Sequence, residues 1–206
     1  MAKMLALVFS SVVMAQNTAE LPTCKLLPCE EDRSPLRDRG VQTGWIDSLK
    51  YIPFGRQEGW YLTLGGEVRQ RFEYFNHPVW GREPGDNKYW LQRYMLHSDV
   101  HFGSRFRLFG ELKSGIEMDR KGGPRPADED HLDVHQAFVD AGLWQSRNNS
   151  LTLRIGRQEV EFGSARLVSS RAGLNVRQSF DGARLTLNKR EWQVDAFATK
   201  PVETSR

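Results

Sequence analysis

From Trp60 onward the chain alternates apolar and polar residues with a period of two. In Trp60–Tyr74 the even positions are Trp60, Leu62, Leu64, Gly66, Val68, Gln70, Phe72 and Tyr74. The odd positions are Tyr61, Thr63, Gly65, Glu67, Arg69, Arg71 and Glu73. Successive side chains of a strand point to opposite faces, so this spacing predicts a strand with one apolar and one charged face. The same rhythm predicts strands at Lys88–Phe102, Arg105–Met118, about Leu132–Trp144, Leu151–Phe162, about Arg177–Asn188 and Glu191–Thr199. The second carries Met95 as an exception on its charged face, and the fourth is less regular than the rest.

The connections alternate too. Asn76–Asn87, Asp119–His131 and Gly163–Val176 are long, whereas Gly103-Ser104, Gln145–Ser150 and Asn188–Arg190 are short. Outer-membrane barrels have long extracellular loops and short periplasmic turns, so the order fits a chain that enters from the periplasm. Aromatic residues gather at strand ends: Trp60 and Tyr61, Tyr74 and Phe75, Tyr89 and Trp90. Rings with an apolar body and a polar tip suit the two membrane interfaces. The expected fold is therefore all-β, an antiparallel transmembrane β-barrel, with about seven strands present. The alternative is a soluble periplasmic β-sandwich or lipocalin-like barrel, whose strands run nearer 5–6 residues and whose aromatics fill a core.

Composition narrows the class. The 206 residues are 39% hydrophobic and 27% charged, too polar for a helical membrane protein, and the net charge of +3 gives no reason to expect nucleic acid. Residues 1–15 read as a signal peptide, with Lys3 as basic region, Met4–Met14 as apolar stretch and Val13-Met14-Ala15 as cleavage site. Residues 16–59 are rich in Pro, Gly and charge. They read as a periplasmic lead-in or plug, with Trp45–Tyr51 a short helix or a segment tucked into the barrel mouth. Residues 60–206 are the barrel part. Cys24 and Cys29 allow a small disulfide loop in an exported chain, or a pair of free thiols. No His pair sits near the cysteines to complete a zinc site; His97 and His101, on one face with Asp99 between them, could suggest a metal, but polar filling of the lumen is the plainer reading, and no cofactor is expected.

The candidate chemistry is arginine. Residues 154–184 hold Arg154, Arg157, Arg166, Arg171, Arg177 and Arg184 against Glu159, Glu161 and Asp181. Arg69, Arg71, Arg93 and Arg107 flank them on the charged faces of earlier strands. Rings of Arg or Lys at a constriction select anions in pores. The alternation puts Arg154 and Arg184 in the lumen, and the loop Gly163–Val176 is placed to fold inward and narrow it. The competing reading is that these arginines pair with neighbouring acids and neutralise a polar interior. An enzymatic reading from His97, His101, His131 or His135 with Asp99, Asp133 or Asp140 lacks any G-x-S-x-G or H-E-x-x-H context.

Four stretches carry a resemblance: Gly156–Gly163 (GRQEVEFG), Arg166–Ser169 (RLVS), Asn175–Arg184 (NVRQSFDGAR) and His135–Asp140 (HQAFVD). They resemble the alginate export family of outer-membrane porins, and the likeness runs from about Trp60 to Val202. The resemblance implies a barrel of about 18 strands in the outer membrane of a Gram-negative bacterium. It also implies an electropositive constriction through which an anionic polysaccharide such as alginate is exported. A general or small-anion uptake porin is the alternative within the family. Outer-membrane lipid, the anionic solute and periplasmic export-complex proteins are the partners to expect. At near 20 residues per strand such a barrel needs about 360 residues, so the chain reads as the N-terminal part of a longer protein.

Overall fold

The computed structural model describes residues 4–10, 27–31, 33–37, 45–78, 80–81, 85–162, 166 and 168–203. Nine strands form one antiparallel sheet in the order β1-β9-β8-β7-β6-β5-β4-β3-β2. They are β1 (Met4–Ser10), β2 (Ile52–Pro53), β3 (Trp60–Asn76), β4 (Asp86–Phe102), β5 (Phe106–Met118), β6 (Asp130–Ser146), β7 (Asn149–Gln158), β8 (Phe180–Lys189) and β9 (Trp192–Pro201). From β3 to β9 every strand pairs with its neighbour in sequence, which is the up-and-down order that the alternating turns predict. The sheet is open, with β1 and β2 at its edges. The only α-helix among the described residues is α1 (Trp45–Lys50), where the short helix is expected.

The seven strands read from the periodicity are all present, and two more join them. β2 pairs Ile52 with Leu62 and Pro53 with Tyr61. β1 pairs Met4–Ser10 with β9, so part of the expected signal peptide lies on the sheet edge. The rest of residues 1–15, and Cys24, lie outside the described residues.

The fifth strand ends earlier than its alternation predicts. β7 stops at Gln158, because the Glu159 N–H donates to the Gln136 side-chain carbonyl (3.0 Å) and the chain leaves the sheet. The irregular fourth strand, β6, has a physical cause as well. Glu111 pairs with Gln136 and Leu112 with Val134, so His135 is an extra residue in a β-bulge. His135 and Gln136 consequently both face inward and both are fully buried. A second register shift between Gly142 and Trp144 sends both Leu143 and Trp144 outward.

Burial is inverted relative to a soluble protein. Val68 is 71% exposed, Leu96 63%, Ile155 57% and Leu132 74%, whereas Arg93, His97, Asp99, Glu111, Lys113 and Asp195 are buried. Aromatic rings ring both ends of the bare face. Phe106, Trp144 and Trp192 stand at the short-turn end, and Phe72, Tyr74 and Trp90 at the long-loop end. A sandwich would put the apolar face inside. An apolar face left bare between two aromatic rows is what a lipid-facing wall requires. The charged face, by contrast, is covered by the lead-in and by the β7–β8 connection.

Candidate functional site: the charged face of the sheet

The charged face divides into two zones. Towards the short turns, cross-strand register aligns Arg107, Asp140, Arg154 and Arg184 in one lateral row across β5, β6, β7 and β8. Arg154 grips Asp140 with two hydrogen bonds, Nε to Oδ1 at 2.7 Å and Nη2 to Oδ2 at 2.8 Å. Arg107 does the same to Asp99, at 2.7 and 2.6 Å, and lies 3.6 Å from Asp140. Arg154 and Arg184 stand directly opposite each other, which like charges resist. The strain is relieved outward: Asp140 holds Arg154, and Asp195 accepts from Arg184 Nε at 2.8 Å. Bidentate, charge-assisted pairs of this kind are the strong ones. Each arginine of this row has an acidic partner.

Towards the long loops the arginines hold backbone. Arg69 faces Arg93 across β3 and β4. Arg69 donates to the Ala172 carbonyl at 3.1 Å and the Leu174 carbonyl at 2.6 Å. Arg93 donates to the same two carbonyls at 3.3 and 2.9 Å, and pairs with Glu67 through Nε at 3.0 Å. Arg71 donates to the Gly173 carbonyl at 2.8 Å and pairs with Glu73 at 2.8 Å. Thus residues 172–174 of the β7–β8 connection cross the sheet and are clamped on the inner side of β3 and β4. Asn175 completes the clamp, donating to the carbonyls of Gln92 (3.0 Å) and Asp128 (2.7 Å). Among the described residues Arg69 makes no carboxylate pair. Around this crossing Arg69, Arg71, Arg93 and Arg177 meet Glu67, Glu73 and Glu159, and exposed Arg171 adds a further positive charge at the tip.

The connection is fastened at its base by a buried polar knot. Glu159 takes Arg177 Nη2 at 2.6 Å on one oxygen and lies 2.6 Å from His135 Nε2 on the other. Gln136 bridges this knot to Glu111, donating Nε2 to Glu111 Oε1 at 3.0 Å. Burial pushes the Glu159 carboxyl up to about 7, against the pull of Arg177. The loop side of Arg120 is also closed: its guanidinium pairs with Glu117 and Asp128, both at 2.7 Å, over the Tyr89 ring at 3.5 Å.

Of the ten arginines singled out in the sequence, Arg69, Arg71, Arg93, Arg107, Arg154 and Arg184 stand on the charged face. Arg177 joins them from the connection. Arg166 and Arg171 are exposed within the connection. Arg157 is elsewhere. It lies opposite outward-facing Ala137, on the bare face, paired with Asp181 at 2.9 Å. His97, His101 and His135 each pair with an acid, Glu111, Asp99 and Glu159 respectively, as parts of the polar lining. No group of residues able to hold a metal ion occurs among the described residues.

Described residues N-terminal to β3 also join this site. Leu27 and Cys29 pack against Phe109 and Phe138 on the charged face. Leu36 and Tyr51 pack with Tyr61, and Thr63 Oγ1 donates to the Lys50 carbonyl at 2.7 Å. Cys29 is a free, buried thiol. The signal for this docking is a set of apolar residues on the wrong face of the alternation, Phe109 and Phe138 foremost.

A family model described as alginate export matches residues 60–206. No curated protein matches the chain, and no solved structure does.

Proposed function

The chain belongs to the alginate export family, a family of outer-membrane export porins, and on that premise we propose that its charged face is one wall of an anion-conducting lumen. The observation that carries the reading is the inverted burial: apolar residues bare on one face, paired charges on the other. Such a sheet has lipid on the first side and an aqueous path on the second. Residues 1–15 are a signal peptide on this reading, and residues 16–59 enter from the periplasm.

Selectivity belongs to the crossing of the β7–β8 connection, where guanidinium groups outnumber carboxylates and narrow the path. Arg69, Arg71, Arg93 and Arg177, with Arg166 and Arg171 on the connection, supply the positive field. Arg107, Arg154 and Arg184 form a more neutral stretch below. Fixed cations raise the local concentration of anions, and weak contacts at several sites let the solute move on. Arg157 has no part in this path. The solute is an anionic polysaccharide such as alginate, or small anions carried inward along the same wall. The partners are lipid and periplasmic export proteins, and the protein carries out no reaction.

The test is reversal potential. Full-length protein in planar bilayers under a salt gradient should prefer anions, and R69E/R71E should reduce the anion preference several-fold. A cation-selective wild type, or a preference unchanged by R69E/R71E, overturns the proposal.

A further inference from the structure

The short turns carry arginines on a different footing from those of the charged face. The turns at 103–105, 147–148 and 190–191 each expose one: Arg105, Arg147 and Arg190. Glu191 is the only carboxylate in the three turns. Arg107, Arg154 and Arg184 each hold an acid. Among the described residues Arg105, Arg147 and Arg190 make no ion pair and no side-chain hydrogen bond. Each also has an exposed aromatic ring close by in sequence: Phe106 after Arg105, Trp144 before Arg147 and Trp192 after Arg190.

Two of these arginines meet in one cavity. Residues 142–146 of β6 run on past β5, whose last pair with β6 is Phe106 with Ala141. A notch is left between the overhanging end of β6 and the β4–β5 turn, where the Gly142 N–H donates to the Arg105 carbonyl at 2.7 Å. The notch is a cavity of about 590 Å³, lined by Arg105 and Arg147, by Ser104 and Gln145, and by Leu143 and Trp144. The register shift after Gly142 is what turns both Leu143 and Trp144 to the bare side. Unpaired cations and exposed apolar side chains thus share one cavity at the rim of the bare face.

We infer that this notch binds an anionic phospholipid, with Arg105 and Arg147 on its phosphate and Leu143 and Trp144 against its glycerol and upper acyl carbons. The inference rests on reading the bare face as the lipid-facing wall. A guanidinium presents its donors in a planar fork that suits phosphate oxygens. An indole suits the headgroup level, where one side is apolar and the other wet. A zwitterionic headgroup brings its own cation into the field of the two arginines, so a lipid of net negative charge is preferred. An acidic protein segment would answer the arginines but leave Leu143 and Trp144 without an apolar partner.

The probe is brominated phosphatidylglycerol set against brominated phosphatidylcholine, each a minor component of phosphatidylcholine vesicles holding the full-length protein. Bromine quenches indole fluorescence on contact, and wild type minus W144F isolates the signal of Trp144. Quenching against lipid fraction should give a preference of about 20-fold for phosphatidylglycerol at Trp144, and R105Q and R147Q should each remove about fivefold of it. Raising the salt concentration should shrink the preference. Equal affinity for the two lipids overturns the inference and leaves the lipid-facing wall standing. Equal affinity together with polyglutamate binding that R105Q/R147Q abolishes overturns it in favour of an acidic protein. No quenching of Trp144 by either lipid overturns both the inference and the lipid-facing wall.

Discussion

Arg154 shows how this wall handles charge. Its guanidinium is locked to Asp140 by two hydrogen bonds and lies over the Phe138 ring at 3.8 Å, with the Cys29 sulfur on its remaining side. Planar, delocalised and weakly hydrated, it does three things there that a lysine ammonium does not. Removing the charge of its partner leaves it buried and unpaired, so Asp140→Asn should cost about 3–5 kcal/mol in denaturant unfolding, well beyond an exposed pair. A loss below about 1 kcal/mol would mean that Arg107 and Asp99 carry the row without it. Cys29 offers a pH test of the same packing. Burial pushes its thiol up to about 11 from 9.0, against the pull of Arg154 and Arg107. The thiolate is the reactive form, so at pH 8 alkylation should run about 100-fold slower than for an ordinary thiol. The rate should then climb about tenfold per pH unit until about pH 11. A plateau near pH 9 would place Cys29 in water. Neither residue's surroundings were legible in the sequence, because alternation gives a side chain's face but not what lies over it. The clue was compositional: Phe109, Phe138 and Phe197 are apolar residues on a charged face. The first two receive the lead-in, and Phe197 stacks on Phe162 of the β7–β8 connection at 4.9 Å.

At the scale of elements, period two was enough to locate seven strands and the order of their turns. It failed at two places. The bulge at His135 reverses the parity of β6, so no single alternation describes that strand. Residues 159–162 keep the alternation, yet Val160 and Phe162 are buried with Val168 and Phe197 in a cluster off the sheet. Pattern alone does not separate a strand from a connection that docks with the same spacing. Two substitutions test the element assignments. Val68→Arg, in the middle of the bare face of β3, should destabilise the protein in bilayers by about 2–4 kcal/mol, the cost of a cation at lipid midplane. The same substitution should be nearly neutral if that face meets water. Gly156 has φ of +133°, and a Cβ there would lie 2.3 Å from the Ala137 carbonyl. Gly156→Ala should therefore weaken the β6–β7 pairing by well over about 1 kcal/mol, seen as a lower unfolding midpoint with an unchanged denaturant slope.

For the whole molecule, the hydrophobic effect sets the face but not the partner. Among the described residues the bare face is left uncovered, while the charged face is held by ion pairs and inserted segments. Membership of the porin family and the all-β sheet were legible from a short block of sequence and the turn order. The clamp on residues 172–174 was foreshadowed only as a loop able to fold inward, because its bonds run from side chains of β3 and β4 to carbonyls that any sequence would supply. The neighbour-only strand order also has a kinetic consequence. Each hairpin closes a short stretch of chain and can form without the others, at a small cost in chain entropy. The clamp is different: Arg69 meets Ala172 and Leu174 across separations of 103 and 105 residues. Those bonds have nowhere to form until β3 through β8 are already side by side. Assembly of this sheet should therefore be a zipper that ends in a latch, with the seating of residues 172–174 as its last event.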